Sequence, residues 1–219
     1  MLNRNVISYR SFTIIMNSEQ ISSLLIKNSN TRKYFRGTYP ADRIPEFISN
    51  DGGASHPSCV CINTDLSVGP GEHWVAAFIE SPKQIEYYDS LCQWPPKSQY
   101  IYEFLLKFPR IFCLTLESGA WDDDDDACKN ANQFPSGSKF SIVKQENVLA
   151  IPIRKPLQNP LSSFCGQHCC YFLHRRCALN CCRNSFLSIF DELQKNLNKN
   201  GNADRFIANY YSKYIFKRV

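Results

Sequence analysis

Hydrophobic residues recur every three or four positions in five segments of the chain, a spacing typical of amphipathic helices. In the first segment Ile21, Leu24 and Leu25 form an apolar stripe, and Ser18 is a candidate N-cap. Ser185 is the candidate N-cap of a later segment, SFLSIFDELQKNLN. The pattern predicts helices at residues 18–34, 100–108, 164–177, 185–198 and 202–213.

Short apolar runs between turn residues predict five β-strands. Two of them, HWVAAFIE and IEYYDS, are separated by the short turn SPKQ, so they form an antiparallel hairpin. Pro152 limits the last of these strands to a sheet edge. The segment TYPADRIP, residues 38–45, contains two prolines and is expected to be a loop. The strands are predicted at residues 58–63, 73–80, 85–90, 111–116 and 148–153. Because helices and strands do not alternate regularly, the order predicts an α+β domain.

One segment differs in composition from everything around it. Residues 117–147 contain WDDDDD followed by a stretch rich in Lys, Asn, Gln, Ser and Gly, which has little capacity to form a core. We therefore expect an N-terminal extension at 1–17 and a single domain at 18–216, with an atypical insertion at about 117–150.

The charge and cysteine content narrow the functional classes. The 219 residues carry a net charge of +5, which would rise to +10 without the acidic run Asp122–Asp126, so the body is basic enough for nucleic acid or other anionic partners. The apolar patch Phe12–Met16 is too short for a signal peptide, and no apolar run reaches the length of a membrane span. We expect an intracellular protein whose eleven cysteines are mostly reduced thiols.

Cys165 is the strongest candidate for a nucleophile. It opens a predicted helix, where the helix dipole favours a thiolate and backbone amides could hold an oxyanion. Gly166 beside it would let a substrate backbone come close. Gln158, seven residues earlier in a proline-bounded loop, could donate a side-chain hydrogen bond to the same oxyanion, although it also fits an ordinary exposed glutamine.

A cysteine nucleophile needs a base, and the hairpin suggests one. His73 begins one strand and Asp89 ends its partner, so the two side chains should be neighbours although they are sixteen positions apart, forming a nucleophile–base–acid triad with Cys165. His168 on the helix of Cys165 is an alternative base, and both hairpin residues could also be ordinary polar strand ends.

A zinc site is the competing interpretation of the same region. Six cysteines and two histidines lie within residues 165–182, but they follow one helical segment, whereas zinc ligands usually come from separated pairs on turns. Cys169 and Cys170 fit better as small buried hydrophobic residues. We expect no metal ligand in this cluster.

The segments GEHW, YYDS and PLQNPLSSFCGQHC, in that order, resemble the adenovirus-type cysteine proteases (adenain), which occur in adenoviruses and Polinton-type transposons. More distantly they are similar to the SUMO-specific proteases. YFRGTYPADRIPEFIS and FCLTLES extend the likeness to residues 18–116 and 150–216. The resemblance implies the fold of that family, with a central, mostly antiparallel sheet packed on helices and the nucleophile at the start of a central helix.

The resemblance also implies roles for single residues. Cys165 would be the nucleophile, His73 the general base, Asp89 the orienting acid and Gln158 an oxyanion donor, with Trp74 packed beside the catalytic pair. Cys113, in FCLTLES, matches a cysteine that forms a disulfide with an activating peptide. No cofactor is required for the chemistry itself, but DNA and such a peptide are candidate activators.

The expected function is that of a cysteine endopeptidase that processes capsid or other virion precursors of a virus or virus-like transposon. The alternatives are a protease for SUMO or another ubiquitin-like modifier, and a degenerate, non-catalytic protein- or DNA-binding copy. We expect a monomer without membrane association, in the nucleus or cytoplasm, or in the virion if the element makes particles.

Overall fold

The computed structural model describes residues 15–48, 56–116, 148–179, 185–200 and 203–215. These ranges contain five α-helices: α1 Ser18–Lys27, α2 Gln99–Leu106, α3 Cys165–Ala178, α4 Ser185–Asn200 and α5 Asp204–Ile215. They also contain six strands: β1 Phe35–Pro40, β2 Ser58–Asn63, β3 Trp74–Ser81, β4 Gln84–Tyr88, β5 Arg110–Leu116 and β6 Val148–Ile153. Two 3₁₀ turns, Ala41–Arg43 and Glu46–Ile48, follow β1. The α+β class predicted from the sequence is confirmed.

The six strands form one sheet in sequence order, β1 to β6. The central strands β2, β3 and β4 pair antiparallel, as the predicted hairpin requires. The β1–β2, β4–β5 and β5–β6 pairs are parallel. The expected antiparallel arrangement therefore holds for the centre of the sheet and not for its flanks. The β4–β5 pair is parallel because a helical crossover, α2, joins these strands instead of a tight turn.

Both faces of the sheet are covered, which explains why residues 59–62 of β2 and 74–79 of β3 are all apolar. One face, including Cys61, Ala76 and Tyr88, packs under α1, α3, α4 and α5. The opposite face, including Val60 and Ala77, packs against α2 and the first 3₁₀ turn. Strands buried on both faces lose the polar alternation of a half-exposed sheet. The central helix α3 lies against β3, so the start of α3 comes close to the start of β3.

The start of the chain differs from the sequence prediction in three respects. The cap of α1 is Asn17 and not Ser18, because Asn17 and Gln20 exchange the hydrogen bonds of a capping box. The helix ends at Lys27 instead of continuing to residue 34, and the side chain of Asn28 accepts a backbone hydrogen bond from Asn30 in the turn that follows. Residues 38–40, predicted as loop, complete β1, where a terminal proline is tolerated on an edge strand.

The other predicted elements lie within about two residues of the observed ones, and β6 is the edge strand that Pro152 indicated. Residues 1–14 of the predicted extension and 117–147 of the predicted insertion lie outside the described residues. Met16 is buried in the core under α3, so the packed body begins before Ser18. No helix in the described ranges is long and apolar enough to cross a membrane.

Candidate active site

Cys165 is the first residue of α3, as the sequence predicted. The side chain of its N-cap, Phe164, makes no capping hydrogen bond, so the first N–H groups of the helix have no side-chain acceptor there. The N–H of Cys165, like that of any first helical residue, has no partner within its own helix. The thiol is only partly exposed. This position combines a reachable sulfur with the positive end of a helix dipole.

His73 and Asp89 form the contact that the hairpin predicted. His73 directly precedes β3 and Asp89 directly follows β4, and Nε2 of His73 lies 2.8 Å from Oδ1 of Asp89. The same carboxylate oxygen accepts a hydrogen bond from the backbone N–H of Leu91 at 2.8 Å. Asp89 is buried, so the backbone donor fixes a carboxylate that has little access to water. With Nε2 engaged by Asp89, Nδ1 is the ring nitrogen left for exchange of a proton with a third group.

The thiol and the imidazole favour opposite charges. Burial alone would raise the pKa of Cys165, but a hydrogen bond and the charge of His73, with backbone donors of Trp74 and Gly166, outweigh burial and lower this pKa. Burial alone would lower the pKa of His73, but Asp89 and the Cys165 sulfur together raise it to about 10. A lowered thiol pKa beside a raised imidazole pKa favours a thiolate–imidazolium ion pair at pH values below the usual pKa of a cysteine.

Gln158 is buried in the wall of the same cleft and is not the exposed loop glutamine that its sequence context also allowed. Its Oε1 accepts a hydrogen bond from Oγ of Ser90 at 2.6 Å, and its Nε2 donates to the carbonyl oxygen of Ser162 at 2.8 Å. An amide nitrogen carries two hydrogens, so one N–H remains for another acceptor. No pattern in the sequence connects Ser90 with Gln158, which is 68 residues away.

Trp74 and Gly166 were both expected to support the site near Cys165, and the structure agrees with the expectation only for Trp74. Trp74 packs in the core beside the site, as the resemblance implied, and its Nε1 donates to the carbonyl oxygen of Met16 at 3.0 Å. Gly166, by contrast, does not leave space for a substrate. A Cβ atom at this position would lie 3.0 Å from Cβ of Met16 and 3.3 Å from Cδ1 of Ile21. The absence of a side chain at 166 instead allows α3 to approach the chain segment before α1 and α1 itself.

The site opens into a cleft of about 610 Å³. Its walls come from the segment before α1, the end of β1, the Gly-Pro-Gly turn before β3 and the loop before α3. His73, Trp74, Gln158 and Cys165 all contribute to the lining. A cleft of this volume is large enough to hold part of an extended polypeptide segment beside Cys165.

Other chemistry-bearing residues lie outside this cleft. His168 is fully buried behind the site, where Nδ1 contacts the hydroxyl of Tyr88 at 3.1 Å and Nε2 contacts Oδ1 of Asp204 at 2.9 Å. It therefore joins α3 to β4 and α5 and is not the base for Cys165. Sequence reasoning did not find Asp204, because nothing in the pattern indicates which strand or helix α5 packs against.

Cys113 is buried on β5, on the face of the sheet that α2 covers. Burial raises the pKa of its thiol well above the usual value. A disulfide between Cys113 and an activating peptide, which the resemblance implies, would require the covering side chains to move. Such a bond stays a prediction.

The cysteines of α3 pack as predicted for small apolar residues: Cys169, Cys170 and Cys177 are buried in the core. The thiol of Cys169 also donates to the carbonyl oxygen of Trp74 at 3.1 Å, which ties α3 to the start of β3. Within the described ranges, no group of three or more His, Cys, Asp or Glu side chains is arranged to hold a metal ion. Cys181 and Cys182 of the predicted cluster lie outside those ranges.

Fold and site together define a class: an α+β protein with a cysteine at the start of a central helix, facing a histidine–aspartate pair on a hairpin. No family model matches the chain. Over 162 residues, or 72% of its length, the chain is 26% identical to a protein described as a protease of Human adenovirus A serotype 12. The match spans 62% of that protein's own length. Over this range the chain is distantly similar to the adenovirus protease.

Proposed function

We propose that this protein is a cysteine endopeptidase with Cys165 as nucleophile, His73 as general base and acid, and Asp89 as the orienting carboxylate. The observation that carries the proposal is the 2.8 Å contact between His73 and Asp89 beside a Cys165 whose pKa is lowered by that histidine. The adenovirus protease relative supports a peptidase, and the site supports the cysteine type.

In the first half-reaction, the Cys165 thiolate attacks the carbonyl carbon of a peptide bond in the cleft. The carbonyl oxygen gains the negative charge and is stabilised by the N–H of Cys165 and the remaining N–H of Gln158. The imidazolium of His73 then gives its proton to the amine nitrogen, the C–N bond breaks, and an acyl-enzyme thioester remains. Asp89 keeps the ring in the required orientation and stabilises its positive charge.

In the second half-reaction, His73 is neutral and accepts a proton from a water molecule as that water attacks the thioester carbonyl. The C–S bond breaks, the carboxylic product leaves, and the sulfur returns as a thiolate beside the reprotonated imidazole. The same two groups therefore serve both steps, and no resident metal or organic cofactor is needed for proton or electron balance.

For substrates we propose capsid or other virion precursor proteins, because the relative is a viral protease. Asp89 in YYDS favours a second candidate, the processing of SUMO or another ubiquitin-like modifier, since the sequence motif there resembles the SUMO-specific proteases. DNA and a short peptide that reacts at Cys113 are proposed activators. The basic body of the chain supports the first of these.

The proposal is tested by incubating the protein with virion-precursor peptides and with ubiquitin-like fusions, with and without DNA. Cleavage should be lost in Cys165→Ala and retained in Cys177→Ala, a matched control that removes a buried thiol from the same helix. Equal cleavage by the wild type and Cys165→Ala would contradict the proposed nucleophile. Cleavage of one substrate set alone would decide between the two substrate classes.

A further inference from the structure

The turn after β4 contacts both halves of the site through two adjacent residues. Asp89 binds the imidazole of His73, and Ser90 binds the side-chain amide of Gln158. Ser90 and Gln158 are both buried, so water does not compete effectively for their hydrogen bonds. Successive residues thus connect the base and the candidate oxyanion donor to one short stretch of backbone.

Ser90 makes three hydrogen bonds to Leu157 and Gln158, two of them to Gln158 itself. Its Oγ donates to Oε1 of Gln158 at 2.6 Å, and its carbonyl oxygen accepts the backbone N–H groups of Leu157 and Gln158 at 3.0 Å each. The contacts to the main chain place the backbone of residue 158. The hydroxyl contact acts on the side-chain amide alone, so a substitution that removes only the hydroxyl separates the two effects.

The hydroxyl also fixes the direction of the amide. Nε2 donates to the carbonyl oxygen of Ser162 at 2.8 Å, so a rotated amide would set two acceptor oxygens against each other. With Oε1 held by Ser90 and one Nε2 hydrogen held by Ser162, the second Nε2 hydrogen has a defined direction. A donor that is already oriented stabilises developing charge without reorganisation during the reaction.

We propose that Ser90 is a positioning residue for the oxyanion donor: its hydroxyl orients the Gln158 amide, and it acts on the reaction only through that amide. The inference rests on the proposed peptidase function. It separates the role of Ser90 from that of its neighbour Asp89, which acts on the proton-transfer residue His73.

A double-variant cycle tests this role. Gln158→Ala removes the donor itself and should lower kcat by about 100- to 1000-fold, the range for loss of one oxyanion donor. Ser90→Ala leaves the donor present but less well oriented, so kcat should fall by about 10-fold with KM nearly unchanged. In the Gln158→Ala background, Ser90→Ala should cause no further loss. The alkylation rate of Cys165 by iodoacetamide should be unchanged in all three, because alkylation forms no oxyanion.

Two control variants show whether a fall in kcat comes from loss of positioning or from loss of folding. Ser58→Ala removes a buried serine hydroxyl on β2 that has no hydrogen-bond partner among the described residues, and it should leave kcat unchanged. Ser90→Thr retains the hydroxyl and should recover most of the kcat lost in Ser90→Ala. Melting temperatures of all variants show whether each remains folded during the assay.

Three results would overturn the inference. The first is a Ser90→Ala substitution that lowers kcat by the same factor in the wild type and in the Gln158→Ala background. The second is slower Cys165 alkylation in Ser90→Ala. The third is a Ser90→Thr variant whose kcat is no higher than that of Ser90→Ala. A wild-type protein that cleaves no peptide would instead overturn the proposed function, and this inference with it.

Discussion

Nε2 of His73 lies 2.8 Å from Oδ1 of Asp89, although sixteen positions separate the two residues in the sequence. The contact follows from an antiparallel hairpin in which Ala76 pairs with Tyr88, so that the residue before β3 lies beside the residue after β4. Asp89 is thereby positioned to control the charge of His73, and His73 to control that of Cys165.

Removing the charge of Asp89 should weaken the ion pair. Asp89→Asn keeps the shape of the side chain but loses the negative charge that helps to raise the His73 pKa. We expect kcat/KM for peptide cleavage to fall by about 100-fold or more, in the range for loss of general acid–base assistance. Asp191→Asn, which neutralises an exposed carboxylate on α4, should leave kcat/KM unchanged. Similar losses in both variants would contradict the specific role of Asp89.

The pH dependence of peptide cleavage should be bell-shaped. The thiolate exists above the lowered pKa of Cys165, and the imidazolium exists below the raised pKa of His73, which is about 10. Activity should therefore rise with pH as Cys165 ionises, at pH values below the usual pKa of a cysteine thiol. It should fall again only as the pH approaches about 10, where His73 loses its proton. Steady-state rates measured from about pH 4 to about pH 11 check both limbs. An alkaline limb near pH 6.5, the usual pKa of histidine, would contradict the ion pair.

A buried ion pair between α3 and β4 should matter for stability. Arg176 on α3 makes a two-point contact with Glu86 on β4, with its Nε 2.6 Å and its Nη2 3.0 Å from the two carboxylate oxygens, and its guanidinium lies over the ring of Phe78. Arg176→Ala leaves Glu86 buried without its cation, so the free energy of unfolding should fall by about 3–5 kcal/mol.

The neighbouring arginine provides the control. Arg175 pairs with Glu192 at a partly exposed position, and Arg175→Ala should lower the free energy of unfolding by about 1 kcal/mol or less. Urea unfolding of the two variants measures the difference. Equal effects would show that burial of the Arg176–Glu86 pair is not what makes it important.

Gly166 should resist substitution because of packing. The Cβ of Gly166→Ala would lie 3.0 Å from Met16 Cβ, closer than ordinary van der Waals contact, and we expect a destabilisation of about 1–3 kcal/mol. Met16→Gly removes the Cβ atom that makes this contact, so Met16→Gly combined with Gly166→Ala should cost less than the sum of the single changes. Strict additivity in urea unfolding would contradict a direct clash.

Some of this site was predictable from sequence because it depends on local geometry. The SPKQ turn between two apolar runs specifies a hairpin, and a hairpin determines which strand ends meet, so His73 and Asp89 could be paired in advance. The start of α3 at Cys165 was equally accessible from helical spacing.

Long-range contacts could not be predicted in this way. The Ser90–Gln158 hydrogen bond joins segments 68 residues apart, and no periodicity in the sequence encodes that pairing. Gly166 was misread for the same reason, since its neighbours Met16 and Ile21 come from the other end of the chain.

The most direct test of the central claim is the pH dependence of Cys165 alkylation by iodoacetamide, followed by peptide mapping, in the wild type and His73→Ala. The thiolate–imidazolium pair predicts that Cys165 of the wild type reacts at pH values well below the usual pKa of a free cysteine, about 8.5, and that His73→Ala shifts the profile upward towards that value. Superimposable profiles in the two proteins would contradict the account.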